Sequence, residues 1–176
     1  MDILDISLFF TILLSALVTG FILTYAIVIM PGLSNLDDKE FIKAFQVTDG
    51  IIQNDQPIFI VIWIGSIVSV LSTIITSILC LGILDAWLII FVSVVHLLLV
   101  QGITILIHLP LNKSIQNIDI NSSNFQTLSK ERIAFEKKWN YFNNIRTVVA
   151  FIVVLIFLSI LTIRYFIYKI FISYIP

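Results

Sequence analysis

Long uncharged apolar runs dominate the chain and are separated by two polar stretches. A transmembrane helix needs about 20 mainly apolar residues to cross roughly 30 Å of hydrocarbon. Four runs approach or exceed that length, and the helix of the last is expected to extend toward Tyr174. We therefore predict one membrane domain over residues 1–176, with spans at 6–30, 58–84, 86–112 and 147–172.

Charged residues and a proline mark the ends of these runs. Pro31 follows the first run, and Asp85 divides the second apolar region in two, so Leu84-Asp85-Ala86 is predicted to be the tip of a tight helical hairpin. The fourth run lies between Arg146 and Arg164, whose long side chains can snorkel to the membrane interfaces. Alternating barrel strands do not contain continuous apolar runs of this length. The pattern predicts an all-α integral membrane protein in which four transmembrane helices form a bundle.

Composition excludes several classes of protein. Hydrophobic residues make up 59% of the chain and charged residues only 12%, against about 45–50% and about 25% in soluble domains. So few charges cannot supply the polar shell of a water-soluble globule, and we expect the lipid bilayer to cover most of the surface. Ten Lys and Arg against eleven Asp and Glu leave no basic patch, so we expect no nucleic acid partner. The composition does not indicate which oligomeric state the protein has.

The basic residues are distributed unequally between the two sides of the predicted bundle. The loops at 31–57 and 113–146 carry eight of the ten Lys and Arg residues, whereas the opposite side carries only Arg164 and Lys169. Cytoplasmic loops of membrane proteins are enriched in Lys and Arg. We therefore predict that both long loops are cytoplasmic and that both termini lie outside.

The first loop carries the pattern of an amphipathic helix. Asp37 followed by Glu40 resembles a capping box, and apolar residues then recur at roughly helical spacing. Gln46, Asp49 and Gln53 share one face of this helix. One interpretation is an interfacial helix whose polar face meets water. The other is that this face turns toward a pocket.

The third span carries a polar stripe. Gln101, Thr104 and His108 lie within about 60° of one another on an α-helix, and Asn112 follows one turn later. Pro110 removes a backbone donor, which suits a kinked or opened helix end that lines a cavity. The alternative is that these groups only bond neighbouring helices.

The two histidines do not form an evident metal pair. His96 lies about 140° away from Gln101 around the helix axis, and we expect it to be a buried, hydrogen-bonded side chain. His96 and His108 would lie on faces about 120° apart and about 18 Å apart along the axis. We therefore predict no metal site, although one histidine can still bind a metal together with residues from other spans.

Several short motifs occur together in this chain. They are Gly20-Phe21, Met30-Pro31-Gly32-Leu33, Phe45-Gln46, Asp49, Ile52-Gln53-Asn54, Pro57-x-Phe59, His108-Leu109-Pro110-Leu111-Asn112 and Trp139-x-x-x-Asn143-Asn144-Ile145-Arg146-Thr147. Together they resemble the motifs of the anthrone oxygenase-like family, a group of small four-helix membrane proteins of which many are bacterial and of unknown function. The resemblance covers nearly the whole chain and implies a multi-pass protein of the bacterial inner membrane.

The family resemblance implies oxidation of an anthrone to an anthraquinone by O₂. Removing a proton from the central methylene gives an electron-rich anion that can itself reduce O₂, so the chemistry requires no metal or flavin and we expect no cofactor. The protein then needs a base, a partner for the developing oxyanion and an apolar aromatic slot for a lipophilic aromatic molecule.

The resemblance also implies a role for individual residues. It assigns the base to His108 or Asp49, the oxyanion partners to Arg146 with Asn112 and Asn143, and the stacking wall to Trp139. The polar faces described above add further candidates for substrate binding, namely Gln46, Gln53, Gln101 and Thr104. A purely structural interpretation makes Trp139 an interfacial anchor, Arg146 a snorkelling charge and Asn112 a helix C-cap.

This chain departs from the family pattern at two positions. His108 stands where many members have a polar amide, and Asn144 stands where many have histidine. If the family histidine is the base, its role here falls to His108 or Asp49. A second functional class is a non-enzymatic four-span protein that acts as an assembly partner or binds a lipid or quinone in the same pocket.

Overall fold

The chain forms five helices in the computed structural model, which describes residues 2–173. They are α1 (Ile3–Leu33), α2 (Asp38–Gln53), α3 (Pro57–Leu81), α4 (Trp87–Gln116) and α5 (Phe125–Ser173). Helix accounts for 88% of the structure, and the described residues contain no strand. Four helices are long and apolar enough to cross a membrane, with Phe125–Ile167 as the candidate part of α5. The predicted four-span all-α fold is therefore confirmed. Tyr174 lies outside the described residues.

The start of α1 is tied to the far end of α5. The side chain of Asp2 caps α1 by accepting a hydrogen bond from the backbone N–H of Asp5. The side chain of Asp5 in turn accepts a hydrogen bond from the backbone N–H of Asp2. Arg164 bridges the two carboxylates, with Nη2 at 2.8 Å from Asp2 and Nε at 2.8 Å from Asp5. Arg164 therefore closes one end of the bundle through ion pairs.

The end of α1 differs from the prediction, since the helix runs through Pro31 to Leu33. The turn Tyr25–Ile29 is π-helical, and the backbone N–H of Met30 donates to the carbonyl of Tyr25. A π-helical turn changes the hydrogen-bond register just before the proline. The donor that Pro31 lacks therefore does not end the helix.

The amphipathic helix predicted in the first loop is confirmed as α2. The carboxylate of Asp37 caps it by accepting from the backbone N–H of Glu40 at 2.8 Å. Its apolar face is fully buried at Phe41, Ile42 and Phe45 and packs against aromatic rings of α5. Helix α2 therefore docks on the protein rather than lying alone in the interface.

Arg132 of α5 fixes the segment that leads into α2. Its guanidinium pairs with Asp38 and Glu136 and donates to the backbone carbonyls of Ser34 and Leu36. It also stacks over the ring of Phe41 at 4.6 Å. These contacts hold the start of α2 against α5.

Helices α3 and α4 form the predicted hairpin, with Asp85 in the turn between them. Helix α3 ends at Leu81 rather than at residue 84, because Gly82 adopts φ 78° and ψ 159°. That backbone conformation is essentially confined to glycine. Small hydroxyl side chains let α3 approach α1 closely, with Thr11 and Thr73 hydrogen-bonded at 2.9 Å.

Helix α4 is irregular in its second half. It contains two π-helical stretches, His96–Gly102 and Thr104–His108, and continues through Pro110 to Gln116. The prediction ended this span at residue 112 because the uncharged run ends before Lys113. The wide π-helical turn before Pro110 accommodates the missing donor.

Helix α5 is continuous from Phe125 to Ser173, so the polar segment before residue 147 and the fourth span form one helix. The segment between α4 and α5 runs from Asn117 to Asn124. It ends at Asn124, whose side chain accepts from the backbone N–H of Thr127 at 2.8 Å and caps α5.

Gly82 provides a test of the hairpin. We expect Gly82→Ala to lower the free energy of unfolding by about 1–3 kcal/mol, because a Cβ is strained at this φ and ψ. Gly20→Ala is the matched control, since that glycine lies within α1 and no atom approaches its Cβ position within 4 Å. This control should be neutral or stabilising by up to about 1 kcal/mol. Unfolding in mixed micelles, followed by circular dichroism, measures the stability of both variants. Equal effects of the two substitutions would contradict the role assigned to the backbone conformation of Gly82 in the hairpin turn.

Candidate functional site

A cavity of about 310 Å³ lies at the end of the bundle where α2 docks, and all five helices line it. Apolar side chains of α1 and α3 form much of its wall, including Leu17, Val18, Phe21, Ile22, Phe59, Ile60 and Ile62. Three larger aromatic side chains with polar tips also line it, namely Tyr25, Trp63 and Trp139. The polar lining is contributed mainly by α2, α4 and α5, through Asp49, Gln53, Asp55, Thr104, His108, Asn112 and Arg146. Such a mixture suits a lipophilic molecule with a few polar atoms.

Arg146 of α5 places a guanidinium in this cavity although its side chain is only 6% exposed. Its Nε donates to Asn143 and its Nη1 donates to Thr104, both at 3.0 Å. The guanidinium carbon lies 5.7 Å from the ring centre of Trp139. Arg146 therefore points inward, which is not the orientation of a snorkelling charge.

His108 of α4 is the second polar group of the cavity wall, and it is only 2% exposed. Its ring packs edge-on against Trp139, with the ring centres 4.9 Å apart. Neither ring nitrogen has a hydrogen-bond partner among residues 2–173. A buried unpartnered imidazole is costly, and this ring keeps both a donor and an acceptor for a ligand.

Asn112 joins three helices at the cavity. Its side-chain oxygen accepts from the indole N–H of Trp139 in α5 at 2.9 Å, and its amide donates to Asp49 in α2 at 2.7 Å. Gln116 donates to the other oxygen of Asp49 at 3.3 Å. Asn112 is therefore a link within the cavity wall rather than a cap at the end of α4.

Asp49 lies on the face of α2 that turns toward the cavity, as the second interpretation of that helix requires. Burial raises the pKa of its carboxyl above the ordinary value of 3.8, and hydrogen bonds from Gln116, Gln53 and Asn112 oppose the shift. Since desolvation dominates, the folded protein holds this proton more tightly than the unfolded chain does.

Three residues with predicted roles do not line the cavity. Gln46 donates to the backbone carbonyls of Ile115 and Ile118 and so fastens α2 to the end of α4. Asn143 is fully buried, and its amide donates to the carbonyl of Ile22 while its oxygen accepts from Arg146. Asn143 therefore orients the guanidinium of Arg146 from outside the cavity. The third of these residues is Gln101.

Gln101 points away from the cavity toward α3. Its oxygen accepts from the indole N–H of Trp63 at 2.8 Å, and its amide donates to Ser66 at 3.0 Å and to His96 at 3.2 Å. The predicted separation of about 140° between His96 and Gln101 is wrong. The π-helical stretch pairs residues five apart, which brings these two side chains together and separates Gln101 from Thr104 and His108.

The predicted site residues do not include the aromatic side chains that α1 and α3 contribute to the cavity. Phe21 and Phe59 pack against each other across these helices with ring centres 5.0 Å apart, and Tyr25 follows one turn after Phe21. The spacing of Phe21 and Tyr25, four residues apart on one helical face, is a usable signal. Trp63 has no comparable signal, because its position depends on the hydrogen bond that its indole N–H donates to Gln101.

Residues 2–173 contain no group of three or more His, Cys, Asp or Glu side chains that can hold a metal ion. The polar groups of the cavity instead comprise an imidazole, a guanidinium, a carboxylate and amides. They can exchange a proton, stabilise an anionic oxygen and accept hydrogen bonds.

These features define a class, the four-span helical membrane proteins with a polar cavity under an amphipathic helix. A family model described as anthrone oxygenase matches residues 59–156, which is more than half of the chain. The protein therefore belongs to the anthrone oxygenase family, as its motifs predicted. No curated protein and no solved structure matches the chain.

The match includes the segments His108–Asn112 and Trp139–Thr147. The motifs of α1 and α2 lie outside the matched residues, so their assignment to the family stays a prediction. Asn144, which stands where many members have histidine, is exposed and does not line the cavity. In this structure the side chain at position 144 therefore lies outside the cavity that His108 and Arg146 line.

The buried carboxyl of Asp49 predicts a pH-dependent stability. Because its pKa is raised in the folded state, stability should fall as the pH rises above 3.8, with a slope of at most about 1.4 kcal/mol per pH unit until the folded pKa is passed. Asp49→Asn should remove this decline. Thermal unfolding in detergent, measured between about pH 4 and pH 8, checks it. Asp55→Asn, at an exposed position of the same cavity, should keep the wild-type decline.

The link through Asn112 predicts a cost for its removal. Asn112→Ala leaves the indole N–H of Trp139 and one oxygen of Asp49 without this partner, and we expect destabilisation by about 1–3 kcal/mol. The exposed Asn144→Ala should change stability by less than about 0.5 kcal/mol. Combining Asn112→Ala with Trp139→Phe should cost less than the sum of the single changes. Additive free energies in that double-mutant cycle would contradict the link.

Proposed function

We propose that this protein binds a lipophilic aromatic ketone of the anthrone type and oxidises its methylene carbon with O₂, without a cofactor. One observation carries the proposal. An unpartnered imidazole, that of His108, and a buried guanidinium, that of Arg146, both line an apolar aromatic cavity and both contact the ring of Trp139. Deprotonation of an anthrone requires a base at the methylene carbon and a positive group near the carbonyl oxygen, which lies across the central ring and receives the delocalised charge.

His108 is a better candidate for the base than Asp49. Both oxygens of Asp49 already accept hydrogen bonds from the amides of Asn112 and Gln116. The nitrogens of His108 have no such partner in the described chain, so its lone pair is open to a substrate proton. Asp49 then serves to hold Asn112 and, through it, the ring of Trp139.

The reaction begins when His108 removes a proton from the methylene group. The electron pair delocalises onto the carbonyl oxygen, whose negative charge Arg146 stabilises. The anion reduces O₂, a carbon–oxygen bond forms at the same carbon, and the proton returns from His108 to give a hydroperoxide. Loss of water breaks the O–O bond and the second C–H bond and leaves the new carbonyl. One anthrone and one O₂ thus give one anthraquinone and one water.

The remaining polar residues support this chemistry. Thr104 and Asn143 orient the guanidinium of Arg146 by hydrogen bonds, and the rings of Trp139 and Tyr25 line the slot for the substrate. We also propose that the long loops face the cytoplasm of a bacterial inner membrane, which would place the cavity at the cytoplasmic end of the bundle.

The test is O₂ consumption and anthraquinone formation by protein reconstituted in lipid, after subtraction of the protein-free rate with anthrone. His108→Ala should lower kcat by about 10²-fold or more, because a general base is lost. Added imidazole should restore part of the rate by occupying the space of the deleted ring.

His96→Gln is the matched control, because His96 does not line the cavity and an amide can still accept the hydrogen bond from Gln101. It should keep the wild-type rate. A folded His108→Ala protein with undiminished turnover would refute the assignment of the base. Tight binding of anthrone with no turnover above the uncatalysed rate would favour a non-enzymatic lipid- or quinone-binding protein.

A further inference from the structure

The three arginines of the chain have different surroundings. Arg132 and Arg164 each form ion pairs with two carboxylates. Arg146 forms none within the described residues, although it is the most buried of the three, and its partners Asn143 and Thr104 are neutral. A buried cation without an anionic partner is unfavourable, so its charge points to a binding role.

A second observation lies beside this cation. His108 is nine-tenths or more buried, lines the same cavity and has no hydrogen-bond partner for either ring nitrogen among residues 2–173. Both His108 and Arg146 contact the ring of Trp139. A ligand oxygen that reaches this corner meets a guanidinium and an imidazole N–H together.

The acidic residue of the cavity does not neutralise Arg146. Asp49 forms no ion pair within the described chain, and its two oxygens accept hydrogen bonds from the amides of Asn112 and Gln116. The amides therefore compensate the carboxylate, and the guanidinium retains an uncompensated charge. Asp55, the other acid of the lining, is exposed.

We infer that the cavity binds its ligand as an anion, a lipophilic aromatic acid whose ionised oxygen lies against Arg146 and His108. Carboxylates, phenolates and enolates share this chemistry. The ring system of the ligand occupies the apolar wall formed by α1 and α3, which includes Phe21 and Phe59. The inference rests on the cavity of the proposed function, in which the anion is the enolate that His108 generates from the bound ketone. Binding of a ligand that is already ionised does not require the oxidation step.

A matched pair of probes tests the inference. Anthracene-9-carboxylate and anthracene-9-carboxamide share one ring system and differ in charge at neutral pH. Both accept energy from tryptophan, and Trp63 and Trp139 line the cavity. In nanodiscs of zwitterionic phosphatidylcholine, with empty nanodiscs to correct for partitioning, we expect the carboxylate to bind about 10- to 100-fold more tightly.

Variants locate the charge that causes this preference. Arg146→Gln should bind both probes equally, whereas Arg146→Lys should keep part of the preference. Lys137→Gln removes one exposed positive charge from the same helix and should keep the wild-type preference. If Arg146→Gln does not fold, the comparison of the two probes on the wild-type protein still tests whether the cavity prefers an anion. Equal affinity there, or a preference that survives in a folded Arg146→Gln protein, overturns the inference.

Failure of this inference can be distinguished from failure of the oxidation. Selective binding of the carboxylate without anthrone turnover supports the anion site and refutes the oxidation. Anthrone turnover that both probes inhibit with equal potency supports the oxidation and overturns the anion site.

Discussion

The candidate site depends on one side chain, Asn112, which joins three helices by two hydrogen bonds. It accepts from Trp139 of α5 and donates to Asp49 of α2, while it is itself part of α4. Inside an apolar bundle no water is available as an alternative hydrogen-bond partner, so each of these polar groups fixes the position of the group that it bonds. The aromatic wall, the buried carboxylate and the docking of α2 therefore form one connected unit.

Apolar packing supplies the support that these polar contacts need. Phe41, Ile42 and Phe45 of α2 are fully buried against the rings of α5, and each buried side chain of this size contributes about 1.5–3 kcal/mol. The cavity beside them holds polar groups that lack partners, which costs stability. A protein tolerates that cost where the groups serve binding or chemistry.

The sequence predicts the helices well and the site only in part. Run lengths predict four spans, and the spacing of polar residues predicts that Asp49 lies on the polar face of α2, because both signals depend on regular periodicity. The spacing does not decide whether that face meets water or a cavity. The roles of Gln101 and Asn143 could not be predicted, because each side chain turns toward another helix whose position no local pattern gives. Likewise, the end of the first span assigned at Pro31 is wrong because a π-helical turn absorbs the missing donor.

The irregularity of α4 explains why the polar stripe of the third span divides. On a regular α-helix Gln101 would share a face with Thr104 and His108. The stretch His96–Gly102 instead pairs residues five apart, so Gln101 turns toward His96 and Trp63. Thr104 and His108 are then left on the cavity side, next to Arg146. π-Helical turns are frequent at functional sites, and here they convert one stripe into two structures, a buried network that holds Trp63 and a polar wall that faces the cavity.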